Sequence, residues 1–247
     1  MPKALPLVLK ESALNGKIGR GNIFLGGIGS GKTTIALNVA LYAASSMLSM
    51  EPKKGASRER VVLVDLDIIN PYFRSRIVQR EMAAFGVEVV CPPAPIAPGD
   101  LPALPAAVRG ALDSSACAVF DVGGDVVGAT VLGCFRPYIV GKEYRLFFVV
   151  NARRPFTNTA EGIAAAVAEI EDTIRLKVDF LVNNTNIGRE NGLEVTKEGL
   201  EIVRQAAALL KIPVAFTTVL EELNLYETSE IGSEVLRLKK LLHLPWE

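Results

Sequence analysis

Histidine is almost missing from this chain: one residue, His243, in 247. Its scarcity excludes a histidine-based catalytic triad and a histidine metal cage. Cysteine is scarce too, and Cys91, Cys117 and Cys134 stand far apart with no C-x-x-C pair. That spacing excludes a zinc ribbon and a disulfide framework and suits a reducing compartment. There is no excess of charge, with 27 Lys+Arg against 27 Asp+Glu. No global field therefore draws the chain to nucleic acid or acidic lipid, and nucleic acid is not an expected partner. No charge-free run reaches membrane length, and the first residues form no signal-peptide core, so a cytoplasmic location is expected. The mean hydropathy of +0.29 is nonetheless high. Parallel strands that are apolar on both faces would account for it.

Such strands are present. Apolar, β-branched runs occur at Ile23–Leu25, Val61–Asp65, Val87–Cys91, Ala116–Asp121, Arg145–Asn151, Phe180–Asn183 and Val214–Thr218. Helical patterns alternate with them, over Thr34–Met47, Arg74–Phe85, Leu104–Leu112, Thr159–Ile174 and Lys197–Leu210. The alternation predicts an α/β fold in three layers, a mostly parallel sheet of about seven strands with helices on both faces. Ligand-binding loops are then expected at the carboxyl ends of the strands. With no repeat and no second composition regime, residues 1–247 are expected to form a single nucleotide-binding domain. Two connections differ from the rest: a polar one over Met50–Arg60, and Cys91–Pro105, which holds Pro92, Pro93, Pro95, Pro98, Pro102 and Pro105. The second is either a rigid lid or partner-contact loop, or a plain crossover.

The most informative segment is Gly26-Gly-Ile-Gly-Ser-Gly-Lys-Thr33, a complete G-x-x-x-x-G-K-[ST] phosphate loop between a strand and a helix. Its glycines let successive N–H groups turn inward at a helix N-terminus, where an anion is favoured. Gly27, Ile28, Gly29, Ser30, Gly31, Lys32, Thr33 and Thr34 are therefore the candidate nucleotide-binding residues. Lys32 is expected on the β- and γ-phosphates, and the Thr33 hydroxyl on Mg²⁺.

Hydrolysis further needs carboxylates at neighbouring strand ends, and two segments supply them. Val119-Phe-Asp-Val-Gly-Gly124 ends a buried strand at Asp121 and gives D-x-x-G spacing. Asp121 is placed to hold Mg²⁺ and Gly124 to sense the γ-phosphate. Val61-Val-Leu-Val-Asp-Leu-Asp67 carries two acids two residues apart, on one face if the strand continues. Asp67 is assigned to orienting water and Asp65 to the outer shell of the metal.

Together these three segments resemble the MinD/ParA/CobQ-type ATPases and the related nitrogenase iron protein, in the SIMIBI class of P-loop proteins. The resemblance runs from Ile23 to about Leu220, and Asp121-Val-Gly-Gly-Asp-Val-Val127 is most similar to the iron protein's switch segment. It implies ATP, Mg²⁺, a nucleotide-dependent homodimer, and switch loops over Asp65–Arg74 and Asp121–Thr130. It also implies an Asn after a later strand that reads adenine: Asn183, with Asn184 as the alternative. The guanine-reading N-K-x-D motif is absent. The chain departs from the family twice. Gly27 stands where many ParA-like proteins carry a lysine used across the dimer, and Arg153 or Arg154 is a candidate substitute charge. Gly128 stands where the iron protein has a cluster-binding cysteine, with Cys91 and Cys134 elsewhere.

Finally, Ser233–Leu244 has an amphipathic helical pattern with basic residues at Arg237, Lys239 and Lys240. It is expected to pack on the sheet, membrane docking being the second use. The function expected overall is a slow Mg²⁺-dependent ATPase acting as a molecular switch on an unidentified protein partner or cargo. Two alternatives remain. One is a small-molecule kinase or ligase of the dethiobiotin synthetase/CobQ type, with the Pro-rich loop and Asn158–Glu161 framing its substrate. The other is a module that binds nucleotide without cleaving it.

Overall fold

The computed structural model of the chain describes residues 12–49, 60–67, 79–91, 108, 110–111, 116–124, 126–188, 192–222 and 229–241. In chain order the elements are β1 (Gly21–Leu25), α1 (Lys32–Ser49), β2 (Val61–Leu66), α2 (Gln79–Ala84), β3 (Val87–Val90), β4 (Cys117–Val122), α3 (Val126–Cys134) and α4 (Arg136–Ile139). They continue with β5 (Tyr144–Val150), α5 (Ala160–Ile174), β6 (Phe180–Asn183), α6 (Leu193–Leu210), β7 (Val214–Leu220) and β8 (Val235–Leu238). The eight strands form one sheet in the order β3-β2-β4-β1-β5-β6-β7-β8. Every pair in it is parallel. The order reverses at β1, so the loop after β1 lies at the topological switch point where such sheets bind ligands.

Strand alternation divides the core into two layers. On one face Phe24, Val61, Leu63, Cys117, Val119, Phe147 and Val149 pack against α1. Phe24, Phe147 and Phe180 stack there across three neighbouring strands, with ring centroids 5.0 and 5.2 Å apart. On the other face Ile23, Leu25, Val64, Phe120, Val122, Phe148 and Val150 pack against α3, α5 and α6. This is the expected three-layer arrangement. Helix ends follow local chemistry: the Thr159 hydroxyl accepts from Gly162 N–H at the start of α5, while α5 and α6 end on Arg175 and Lys211 in the left-handed conformation.

Two expectations are corrected. Ser233–Leu244 is not helical through its described part, since Val235–Leu238 forms β8 alongside β7. Val-Leu-Arg-Leu alternates, burying Leu236 and Leu238 and leaving Val235 and Arg237 half-exposed, and the edge of β7 supplies the ladder partners that an isolated helix would lack. No basic amphipathic helix is therefore presented to a membrane by residues 233–241, and no described helix is long and apolar enough to cross one. Second, the switch segment expected as a loop through Thr130 is helical from Val126 onward, because its apolar run packs on the sheet. The sheet of about seven strands expected is present with eight, β8 being the addition. The Pro-rich loop, residues 50–59 of the polar connection and the part of the Asp65–Arg74 segment beyond Asp67 lie outside the described residues, as do residues 74–78 of the helix predicted over Arg74–Phe85 and most of the one predicted over Leu104–Leu112.

α1 and β8 are tied together by one buried side chain. The Asn38 amide donates to Lys239 C=O (3.1 Å) and accepts from Lys239 N–H (2.8 Å). Asn38→Ala removes both bonds and is expected to cost about 2 kcal/mol in urea denaturation. An unchanged midpoint would show that β8 contributes nothing to cooperative stability.

Candidate functional site

Parity sets the site. In β2, residues 61, 63 and 65 point to the α1 face, and in β4 residues 117, 119 and 121 do the same. Asp65 and Asp121 are direct register partners on adjacent strands. Both carboxylates therefore emerge beside each other, buried, at the carboxyl end of the sheet and toward the first turn of α1, which carries Lys32 and Thr33. Asp65 Oδ1 accepts from Asp67 N–H at 3.0 Å, turning the chain so that Asp67 stays half-buried at the rim.

The phosphate loop is built as its sequence requires. Gly26, Gly29 and Gly31 have φ of 139°, 74° and 91°, a region that side chains disfavour. A Cβ on Gly26 would lie 2.3 Å from Val149 C=O, and one on Gly31 would lie 2.1 Å from the Asn184 amide. Lys32 is nearly fully buried and donates to Gly27 C=O at 3.0 Å, folding its ammonium back over the loop.

Asp121 is the electrostatic centre. Its carboxyl is pushed from 3.8 up to about 7 by burial; the hydrogen bond with Thr33 opposes the rise, the Asp65 charge adds to it, Lys32 opposes it and Asp67 adds to it. Asp121 Oδ1 is buried with no hydrogen-bond partner among the described residues. An oxygen held in this way beside a threonine hydroxyl fits a divalent cation. No three His, Cys, Asp or Glu among the described residues are placed to cage a metal by themselves.

Gly124 sits directly over the loop. A Cβ there would come 2.7 Å from Lys32 Nζ and 2.8 Å from Ile28 N. The lysine tip can swing aside, but the backbone nitrogen cannot. Gly124→Ala is therefore expected to push the β4–α3 loop away from the phosphate loop and lower turnover about 10-fold or more, with the unfolding midpoint nearly unchanged. Retention of full activity would remove Gly124 from the site. Gly128 is equally constrained, since a Cβ on it would lie 2.4 Å from Gly123 C=O. The position corresponding to the iron protein's cluster cysteine thus has no room for any side chain.

Asn183 does not reach the site. It is fully buried, with its amide donating to Thr196 C=O and accepting from Thr185 N–H and hydroxyl. The expectation that it reads a base is corrected, because its polar atoms are spent on the β6–α6 connection. The adjacent Asn184 instead donates to Ser30 C=O at 2.6 Å and accepts from the Thr218 hydroxyl. Of the two arginines after β5, Arg153 pairs with Glu198 on α6, whereas Arg154 Nε donates to Gly29 C=O at 3.2 Å. The supports behind these contacts were not legible in the sequence. Asn151 links the two loops, accepting from Arg153 N–H and donating to Asn186 C=O. Its one sequence signal is its place at the end of an apolar strand.

Beside the loop lies a cavity of about 430 Å³, lined chiefly by Ile28, Val126, Phe148, Phe156, Ala166 and Ile170, with Arg154 and Glu169 as its charged groups. Ile28, Val126 and Phe156 at its margin are 72%, 66% and 85% exposed.

No protein-family model matches the sequence, and no curated protein is similar to it. Among solved structures, the chain is similar to the cell division protein FtsY of Thermotoga maritima, at 18% identity and a TM-score of 0.50 over 85% of this chain and 67% of that one. It is also similar to the signal recognition particle receptor FtsY of Elizabethkingia anophelis, at 19% identity and a TM-score of 0.46 over 86% and 65%. The chain thus spans about two thirds of the length of these FtsY proteins. At such identity the likeness bears on the fold and not on the MinD/ParA/CobQ subgroup. In fold, this chain is a three-layer α/β protein of the P-loop nucleoside-triphosphate-binding type.

Proposed function

We propose that the chain is a Mg²⁺-dependent nucleoside-triphosphate switch of the SIMIBI class that hydrolyses its nucleotide slowly. The observation that carries this is the convergence of Lys32, Thr33, Asp65, Asp67, Asp121 and Gly124 from three separate segments on one phosphate loop. Lys32 and the amides of residues 27–34 bind the phosphates. Thr33 and Asp121 would hold Mg²⁺, with Asp65 behind them, and the ion when bound neutralises charge on the β- and γ-phosphates. Asp67, at the rim, orients the attacking water. Gly124 touches the loop and heads α3, so loss of the γ-phosphate is transmitted to that helix.

ATP is the proposed base form. The guanine-reading N-K-x-D motif is absent: counting it from Asn184 finds Thr185 and Ile187 where guanine reading needs Lys and Asp. The MinD/ParA assignment rests on the sequence motifs. A nucleotide-dependent homodimer fits the exposed Ile28, Val126 and Phe156 around the site, which a second subunit would cover.

The deciding experiment is light scattering with ATP, GTP, ADP or no nucleotide, each with Mg²⁺, while phosphate release is followed. ATP-dependent dimerisation that reverses as phosphate appears is the expected result. GTP preference would overturn the base assignment, and no shift with negligible turnover would sink the switch. The apolar cavity beside the loop favours one second reading, a kinase or ligase acting on a small apolar acid. Thr157 lines that cavity, whereas Thr159 caps α5. A metabolite that speeds ATP consumption in step with its own conversion would establish that reading.

A further inference from the structure

We propose that Arg154 supplies, within its own subunit, the positive charge that stabilises the transferring phosphoryl group, in place of a lysine reaching across a dimer. This rests on the reading of the site as a triphosphate-hydrolysing centre. The loop after β5 is built to present this side chain. Arg154 N–H donates to Asn151 C=O at 3.0 Å, the Thr157 hydroxyl donates to the same carbonyl at 2.9 Å, and Thr157 N–H donates to Arg154 C=O at 3.3 Å. Asn151 in turn is fixed to Asn186. Pro155 stiffens the turn, and Phe156 holds a φ of 68°, a strained conformation for an aromatic residue that persists only where its surroundings impose it.

The phosphate loop makes room for the result. Gly29 also has positive φ, and a Cβ there would lie 3.1 Å from Arg154 Nε and 3.2 Å from its Cζ. Any side chain at position 29 would press on the guanidinium and push it a few tenths of an ångström from the loop. Arg153 is committed to Glu198, while Arg154 has no acidic partner among the described residues. Its single bond to Gly29 C=O uses one of five donors. The rest of the fork can turn a short way onto an anion seated on the loop amides.

In the reaction the water oxygen bonds to the γ-phosphorus, and the bond from that phosphorus to the bridging oxygen breaks. The electron pair stays on the diphosphate, one water hydrogen remains on the released phosphate and the other leaves as a proton to solvent. Arg154 exchanges no atom; it neutralises charge that grows during the transfer.

The test compares wild type with Arg154→Ala and Arg154→Lys. The readouts are affinity for a non-hydrolysable triphosphate, affinity for the diphosphate with Mg²⁺ and aluminium fluoride, and turnover. Arg154→Ala is expected to bind triphosphate within about 3-fold of wild type, yet to lose about 100-fold or more in turnover and in affinity for the fluoride complex. Arg154→Lys should recover only part of the loss. An equal mixture of Arg154→Ala and Lys32→Ala should remain inactive. Restored turnover in that mixture would show an arginine acting across a dimer and overturn the assignment. So would equal losses for both ligands, the mark of a loop support, or unchanged turnover and fluoride-complex affinity. A wild type that binds the fluoride complex without turning over still tests Arg154 through that affinity. A wild type that binds no triphosphate would overturn the nucleotide reading itself, and is recognised before any variant is made.

Discussion

Asp121→Asn is expected to lower nucleotide turnover about 1000-fold while making the ligand-free protein more stable at pH 8. The two effects have one cause. Asp121 ionises at 3.8 in an unfolded chain and at about 7 in the fold, burial being the main reason. Between those values the folded state binds the extra proton, so stability falls as pH rises from about 4 to 7 and is flat with respect to this group above that. The full loss corresponds to about 4 kcal/mol. An asparagine does not ionise and escapes it. Urea denaturation of wild type and variant without nucleotide, at pH 4.5 and pH 8, should show the variant gaining relative stability at the higher pH. Adding ATP and Mg²⁺ should reverse the order, since only the carboxylate can help hold the cation. Parallel curves at both pH values would mean that Asp121 is ionised without penalty in the fold.

Lys32→Ala should be the other severe change. Its ammonium is folded back over the loop, and its charge favours the ionised form of Asp121. Without it, triphosphate affinity should fall about 100-fold or more, and turnover should vanish. Asp121 would also lose a nearby cation and so would hold its proton to still higher pH. The pair is therefore coupled: Asp121→Asn should restore part of the ligand-free stability that Lys32→Ala loses, in a double-mutant cycle. Calorimetric titration with ATP and urea denaturation of the four proteins measure both claims. Strict additivity in stability would show that the two groups do not feel each other.

How much of this could be read from the sequence depended on whether the determinant was local. The phosphate loop is contiguous, and glycines with positive φ leave a written trace. β2 and β4 were legible because buried parallel strands are apolar runs, and their terminal acids marked where the runs end. β8 was misread because four alternating residues inside a basic, leucine-rich stretch satisfy helical and strand periods alike. Only the free edge of β7 decides between them. The choice between Asn183 and Asn184 was likewise non-local. The two are adjacent and chemically identical, and which one reaches Ser30 depends on strand parity at the end of β6. Arg153 and Arg154 were separated only by the turn that Asn151 and Thr157 impose.

The pairing of Asp65 with Asp121 also bears on how the chain finds its topology. A slip of β4 by one residue against β2 would flip its side chains to the opposite face, turning Asp121 into the layer of Val62, Val64 and Leu66. A carboxylate there would have neither Lys32 nor Thr33 within reach, a burial that proteins do not tolerate. Misregistered sheets are thus penalised by the same residue proposed to hold the cation, so the chemistry of the site proofreads the assembly of the strands that carry it.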